Sequence, residues 1–365
     1  MNRNCPICDC NKSYLIEIIE LSGYDKYPIN GPYKLVGCAK CGFHYCNTIV
    51  SQCDLDRYYS ESSKYENLKT IAMGGGGNSE LEKTRFSKSF NKIKCFIKNK
   101  NISILDIGCA NGGLLEVFKL NGYSDLSGLD PSPACAQRTK ANTGCFVFQG
   151  SFLETIIEKK FDVICLTHVL EHIIDVRRFV LKLIESLKPG GYVYIECPDS
   201  SKYHRVIHSP FQEFNTEHIN HFSPQDYCNI ANSFGLICVS SGSINFKMDT
   251  GNRYFASYGI IQNLPRKRRG KFKSNVQSRR SILKYIEASS RSLKIFEANP
   301  IWRDLGRVYL YGAGQLSFKI IFLLKKIILN IAFSMVILEI SEKELTISLS
   351  KMGGVLLMLI FNLTT

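Results

Sequence analysis

No apolar stretch opens this chain: Met1-Asn2-Arg3-Asn4-Cys5 lacks the hydrophobic core of a signal peptide, which leads us to expect a protein of the reducing cytoplasm. A clean membrane span is missing as well. The most apolar segment, Ser317 to Leu338, is broken by Lys319, Lys325 and Lys326. A charge near the bilayer centre costs about 2.5–3.5 kcal/mol, so a buried helix plus strand is expected there instead. Acidic residues are absent from Pro265 to Ser281, where eight basic residues lie. Subtracting those eight from the net charge of +14 leaves +6, so the high isoelectric point is largely local. Aromatics are also sparse in this run, with Phe272 alone among the bases, and a solvated linker is expected rather than a nucleic-acid grip. There is no internal repeat beyond a pair of Cys-x-x-Cys motifs. With 45% hydrophobic and 21% charged residues, the 365-residue chain has the composition of a globular protein with room for two or three domains.

Of 15 cysteines, seven fall within the first 53 residues. Cys5-Pro-Ile-Cys8 and Cys38-Ala-Lys-Cys41-Gly42 form two knuckles separated by 29 residues. Four thiolates carried on two such turns can converge tetrahedrally on Zn²⁺, with no position left open for catalysis. A structural zinc ribbon with Cys5, Cys8, Cys38 and Cys41 as ligands is therefore expected, and a redox pair is the alternative. Cys10, Cys46 and Cys53 are spare, and His44 is a weaker substitute ligand.

Residues 102 to 115 are the most informative segment. The β-type run Ile102 to Leu105 ends in Asp106, a turn follows through Gly108, Ala110 and Gly112, and a helical stretch begins at Leu114. Small residues let a ligand touch backbone at such a corner, and an acid placed before the first glycine suits a ligand with a cationic head. A second apolar run, Leu126 to Leu129, ends at Asp130, an acid able to accept from both hydroxyls of a ribose. In the next turn Ser151 can meet an adenine edge and Phe152 can cover its face. A strand from Phe161 runs to His168, followed by Leu170-Glu171-His172, an amphipathic helix from Val176 to Leu187, Lys188-Pro189-Gly190-Gly191, and a further strand from Tyr192. Strands alternate with helices at βαβ spacing. The alternative for this corner is another nucleotide-binding α/β domain.

Over roughly residues 85 to 245 this succession resembles the class I S-adenosylmethionine-dependent methyltransferases. Asp106, Gly108, Gly112, Asp130, His168, Leu170, Glu171, His172 and Leu187 to Gly191 match the family's signatures in order; Ala110 replaces its middle glycine and Ser151 its more usual acid. The resemblance implies a Rossmann-like doubly wound α/β sheet that binds S-adenosyl-L-methionine through Asp106, Gly108, Ala110, Gly112, Asp130, Ser151, Phe152 and His168. For His168 the alternative is a hydrogen-bonded core histidine.

A zinc ribbon ahead of such a domain, with a third domain behind it, is similar to the sugar C-methyltransferases that act on nucleotide-linked keto-deoxysugars. Glu217 and His218 match that family's adjacent acid–base pair and His172 a further catalytic histidine, whereas Asn215 stands where the family has tyrosine. The resemblance implies His218 as base, Glu217 orienting it or sharing its proton, and His172 polarising the acceptor oxygen. Six of the seven histidines (His168, His172, His204, His208, His218 and His221) lie between 168 and 221, which suits acid–base work. Glu217 and His221 capping a loop, and His204 with His208 forming an ordinary helix face, are the alternatives.

Arg307 to Gly314 resembles the opening of that family's Rossmann-like third domain, and the resemblance fades past Lys326. The expected organisation is a ribbon and connector over 1–65, a methyltransferase domain over 66–255, and a partial C-terminal Rossmann-like α/β domain over 256–365, altered after about 326. No helix or strand period is evident over 341–365. Gly74 to Gly77 reads as a flexible linker, and Tyr58, Tyr59 and Tyr65 line a sugar pocket or pack the ribbon on the core. The expected partner is a small-molecule acceptor, a nucleotide sugar in the first reading, with neither nucleic acid nor a membrane. Methylation at oxygen or nitrogen of another metabolite or glycan, RNA modification, and a non-catalytic relic are the competing readings.

Overall fold

The computed structural model describes residues 3–21, 29, 31–61, 80–207, 209–247, 253–264 and 270–298, and beyond them four strands at 307–311, 336–340, 344–349 and 356–359. Gly74 to Gly77, Tyr65, His208, residues 265–269 and most of 317–338 lie outside the described residues.

The central body is built on a seven-stranded sheet. Its first strand, β4 (Ile104–Ile107), is buried at every residue, as a parallel strand covered on both faces must be. β5 (Leu126–Asp130), β6 (Phe146–Gln149), β7 (Phe161–Thr167) and β8 (Leu187–Pro198) join it in parallel. Antiparallel β11 (Arg253–Gln262) and β10 (Ile237–Lys247) complete the order β10-β11-β8-β7-β4-β5-β6. Strand order reverses between β4 and β7, and doubly wound sheets open a ligand crevice at the carboxyl ends of strands beside such a point.

Local sequence sets the covering helices. Helix α4 (Pro133–Thr143) starts with Ser132 accepting from the Cys135 amide and ends at Gly144 with φ 71°. α5 (Val176–Ser186) is capped by Asp175 and buries Val176, Phe179, Val180 and Leu183, which share one face at i, i+3, i+4 and i+7. α3 (Gly113–Leu120) packs against α2 (Glu80–Ile93).

The N-terminal knuckles carry an antiparallel sheet of β1 (Ser13–Leu21), β2 (Gly31–Cys38) and β3 (His44–Cys46). Its free edge is taken by β9 (Asn220–His221), a two-residue strand from the central body, with His44 opposite His221. Asn220 secures this junction: its side-chain amide donates to the carbonyls of Leu170 (3.0 Å) and Ile173 (2.7 Å), and its oxygen accepts from Arg3 (3.1 Å). Arg3 also donates to the Ile174 carbonyl at 2.5 Å. α1 (Gln52–Glu61) follows the ribbon, and α7 (Val276–Glu297) buries Ile282, Tyr285 and Ile286 in a core shared with Tyr33, Leu35 and Phe214.

Three expectations are corrected. The boundary at 255 falls inside β11, so the central sheet extends to Gln262. Part of the basic run is held rather than solvated: Phe272 packs on the core beneath Lys40, and Arg279 lies 5.0 Å from the Tyr14 ring. The stretch without evident period contains β14 (Glu344–Leu349) and β15 (Leu356–Leu359). They form a mixed sheet with β12 (Arg307–Tyr311) and β13 (Val336–Ile340) in the order β13-β14-β12-β15. Only β12 and β15 pair in parallel; residues 341–343 are too short a connection for a parallel crossover, so β13 and β14 run antiparallel. No helix among the described residues is long and apolar enough to cross a membrane.

Asn220→Ala should cost about 1–3 kcal/mol, because it removes one donor from each of two carbonyls, which keep the Ile173 amide and Arg3, and one bond of Arg3. Urea denaturation monitored by circular dichroism checks this; a change under about 0.5 kcal/mol would show that the junction is held otherwise.

Candidate active site

The corner after β4 is shaped by backbone in the left-handed region. Gly108 has φ 70° and Gly112, the N-cap of α3, φ 84°. A Cβ on Gly108 would lie 2.5 Å from a Val169 methyl, so glycine is required by space as well as by conformation. Ala110 takes φ 46° at the family's middle-glycine position. The Ala110 amide donates to Asp130 Oδ2 (2.8 Å) and the Ser132 amide to Oδ1 (2.9 Å), so the second acid also braces the corner of the first.

Asp106 is almost wholly buried, and its Oδ1 has no hydrogen-bond partner among the described residues. Burial, then the charge of Asp130, pushes its pKa up to about 8, against a downward pull from Arg85. A buried carboxyl in that state is poised to ionise when a cation arrives beside it.

Both acids face a cavity of about 1130 Å³, its open mouth included. Gly108, Ala110, Ser151, Phe152, His168 and His172 line it too, with Phe152 packed 4.8 Å from Phe179. Gly112 does not; its place is the start of α3. Two further walls come from helices, of whose lining residues only Tyr59 is expected from the sequence as a candidate for a pocket. Helix α2 contributes Glu82, Arg85 and Phe86, and α1 contributes Gln52, Asp56 and Tyr59. The i, i+3, i+4 and i, i+4, i+7 spacings place each trio on one helix face, but nothing in the sequence says that these faces meet the corner.

Histidines gather at the opposite rim. His168, with φ 57°, places Nδ1 3.1 Å from Glu171 Oε1 and Nε2 3.6 Å from Glu196. Burial opposes a proton on His168, but the bonds to Glu171 and Glu196 outweigh it and raise its pKa above the ordinary value. Burial likewise opposes the charge of Glu171, yet His168 and His172 hold its pKa at about 2. Glu196 also accepts from Ser89 and Tyr194, each at 2.6 Å. His168 is thus a braced ionic element of the cavity wall.

His172 Nδ1 lies 2.9 Å from the Glu217 carbonyl oxygen, and its ring is 5.1 Å from that of His218 and 5.5 Å from that of Tyr59. The Glu217 carboxylate accepts from the hydroxyls of Tyr58 and Tyr59, both at 3.2 Å. Glu217 and His218 are not among the residues lining the cavity; they adjoin Tyr59 and His172, which are. Asn215, in place of the family's tyrosine, holds the turn: its Oδ1 accepts from the amides of Glu217 (2.9 Å) and His218 (2.8 Å). The phenols near this acid come instead from α1, which sequence reasoning left between pocket and packing. His221 is sealed between Tyr33 and Tyr203, where burial drives its pKa well below the ordinary value. His204 bonds Ser281, and His44, its pKa lowered to about 3 by burial and then by Arg279, bonds Ser278.

In the N-terminal module the Sγ atoms of Cys5, Cys8, Cys38 and Cys41 all lie within 4.8 Å of one another, and all four residues are buried. Cys5–Cys41 and Cys8–Cys38 are each 3.5 Å apart. Ligands about 2.3 Å from a tetrahedral ion stand roughly 3.8 Å apart, so the donor set fits the expected ion. Gly42, with φ 73°, completes the second knuckle, and the Lys40 amide points at Cys38 Sγ from 3.4 Å.

Comparison with known proteins places this geometry. Residues 82–241 match a family described as a methyltransferase domain. The chain is 35% identical over 99 residues to the ubiquinone biosynthesis O-methyltransferase of Methylobacterium nodulans, covering 26% of this chain and 39% of that one. To its counterpart in Rickettsia bellii it is 26% identical over 123 residues, covering 32% and 51%. The chain therefore spans about two fifths to one half of these curated relatives. Among solved structures it is similar to the magnesium protoporphyrin IX methyltransferase of Synechocystis PCC 6803, with 11% identity, TM-score 0.46, and coverage of 59% of this chain and 100% of that one. It is similar also to the N-methyltransferase NodS of Bradyrhizobium japonicum, with 16% identity, TM-score 0.41, and coverage of 58% and 97%. Residues 82–241 are a methyltransferase domain, and the central sheet has that domain's Rossmann-like α/β fold.

Gly108→Ala should lower stability by about 1–2 kcal/mol, through left-handed backbone strain and displacement of Val169, whereas Ala110→Gly should change it by less than about 1 kcal/mol. Urea midpoints at unchanged slope test the pair; equal effects would contradict the assigned conformations.

Proposed function

We propose that this chain transfers a methyl group from S-adenosylmethionine to a small-molecule acceptor, a carbon next to the carbonyl of a nucleotide-linked keto-deoxysugar. The carrying observation is the buried, half-partnered Asp106 beside Asp130 at a left-handed corner. Asp106 would take the ammonium of the donor's methionyl end and Arg85 its carboxylate. Asp130 would take the ribose hydroxyls, Ser151 the adenine edge and Phe152 its face, while His168 forms part of the wall. When bound, S-adenosylmethionine supplies a methyl carbon made electrophilic by its sulfonium. Holding the acceptor on the methyl axis can contribute about 7–11 kcal/mol to lowering the barrier.

The residues at the rim would manage the acceptor's proton. His218, with Glu217 beside it, takes the proton from the carbon next to the carbonyl; as that C–H bond breaks, its electrons form the enolate. His172 polarises the acceptor oxygen through Nε2, since Nδ1 is committed to the Glu217 carbonyl. Tyr59, bonded to Glu217 and facing the cavity, supplies a phenol at this rim in spite of Asn215. The enolate carbon then bonds to the methyl group, and the electrons of the breaking S–C bond remain on sulfur. Cys5, Cys8, Cys38 and Cys41 would hold Zn²⁺, which would stabilise the ribbon without taking part in the chemistry.

Transfer to oxygen is the second reading. It is favoured by the relatives named as O-methyltransferases and by the absence of tyrosine at 215.

The test is incubation of the full chain with labelled donor and a panel of nucleotide-linked keto-sugars, followed by product mass measurement. His218→Ala should abolish turnover while leaving affinity for S-adenosylhomocysteine unchanged. Asp130→Ala should weaken that affinity by about 10-fold or more, the loss of charged hydrogen bonds worth about 1.5–3 kcal/mol each. Exchange of deuterium at the carbon next to the carbonyl without donor supports carbon as the acceptor, and labelled ether without exchange supports oxygen. Normal turnover in both variants would overturn the assignments.

A further inference from the structure

We propose that Glu171, His172 and His218 form a site for a divalent transition-metal ion, distinct from the four-cysteine group. Each offers one ligand atom, and the three atoms lie within 4.8 Å of one another. Glu171 is 1% exposed, and its Oε2 has no hydrogen-bond partner among the described residues. His172 Nε2 stands 3.9 Å from Glu171 Oε1.

The tautomer of His172 is the independent observation. Its Nδ1 faces the Glu217 carbonyl oxygen at 2.9 Å, and a carbonyl only accepts, so in the neutral ring the proton sits on Nδ1 and the lone pair on Nε2. Metal-ligating histidines are generally fixed in this way, with the second nitrogen donating to a carbonyl or carboxylate. The Glu217 carboxylate is in turn held by Tyr58 and Tyr59, which steadies the backbone that orients the ring. One carboxylate and two imidazoles suit zinc, cobalt, nickel or ferrous iron. Ligand atoms about 2.0–2.2 Å from a common ion stand roughly 3–4 Å apart, so small side-chain rotations close the set. Three protein ligands leave coordination positions open, whereas the four thiolates leave none.

The consequence for turnover rests on the reading of His172 and His218 as the proton-handling pair. An ion bound to their lone pairs removes them from acid–base work, so metal occupancy and methyl transfer exclude one another. The bond made is a donor bond from each nitrogen's lone pair to the metal, so a neutral ring loses no proton and no oxidation state changes; what is lost is the nitrogen's capacity to take a proton.

The experiment titrates the full, zinc-loaded chain with Co²⁺ and follows visible absorbance. One further ion per chain should bind with weak ligand-field bands and without the intense thiolate charge-transfer bands that exchange into the cysteine group would produce. Glu171→Gln should abolish this binding, and His218→Ala, at a half-buried position that keeps the fold, should weaken it at least 10-fold. Zn²⁺ should displace the cobalt and lower turnover over the same concentration range. Absence of cobalt bands in the wild type, or bands unchanged in His218→Ala, would overturn the site. Binding that leaves turnover unchanged or raises it would overturn the exclusion. Because absorbance is read without any acceptor, failure of the site and failure of the proposed function are told apart.

Discussion

A carboxyl group buried beneath a glycine-rich corner, with one oxygen unpartnered among the described residues and a second acid on the neighbouring strand, is the constraint around which the central domain is organised. Burial of such a group is unfavourable unless a partner arrives, and groups of this kind cluster where ligands bind. The surrounding structure serves the arrangement. Asp130 holds the amides of Ala110 and Ser132, Gly108 leaves room for Val169, and parallel strands on both sides keep β4 rigid and dry. Arg85, from a helix that precedes β4 in sequence, supplies the positive field that partly offsets the two acids.

The N-terminal module is part of the same construction. Strand β3 extends its sheet with Asn220 and His221, only two residues past His218, so the ribbon is tied to the segment that carries Glu217 and His218. Helix α1 then crosses back to form one cavity wall and to bring two phenols to Glu217. A four-thiolate ion outside the cavity lining would therefore act on the site through a short β-junction. Loops stabilised by scaffold in this way can hold reactive groups in place without burying them.

Much of this was legible from residues alone, for identifiable reasons. The parallel strands are continuous apolar runs with polar tips, and the corner, the second acid and the knuckles carry their chemistry within a few residues of sequence. What sequence could not reveal depends on contacts between distant segments. Asn215 looks like a lost catalytic phenol, yet it is a turn residue holding the Glu217 and His218 amides, and the phenols come from 158 and 159 residues away. Glu217 and His218 are adjacent in sequence, yet the cavity is lined beside them by His172 and Tyr59, which come from two other segments. The boundary at 255 cuts β11, whose place in the central sheet depends on pairing with the distant β8.

The most direct measurement of the central claim is calorimetry of the full chain with S-adenosylmethionine near pH 7, repeated in buffers of different ionisation enthalpy to count protons. Asp106, its pKa raised to about 8 in the free protein, is largely protonated at that pH and must ionise when the cationic head binds. Binding should therefore release most of one proton, tighten as pH rises toward 8 and level off above it, and Asp106→Asn should remove the release. No heat from well-folded protein, or binding that releases no proton, would contradict the account.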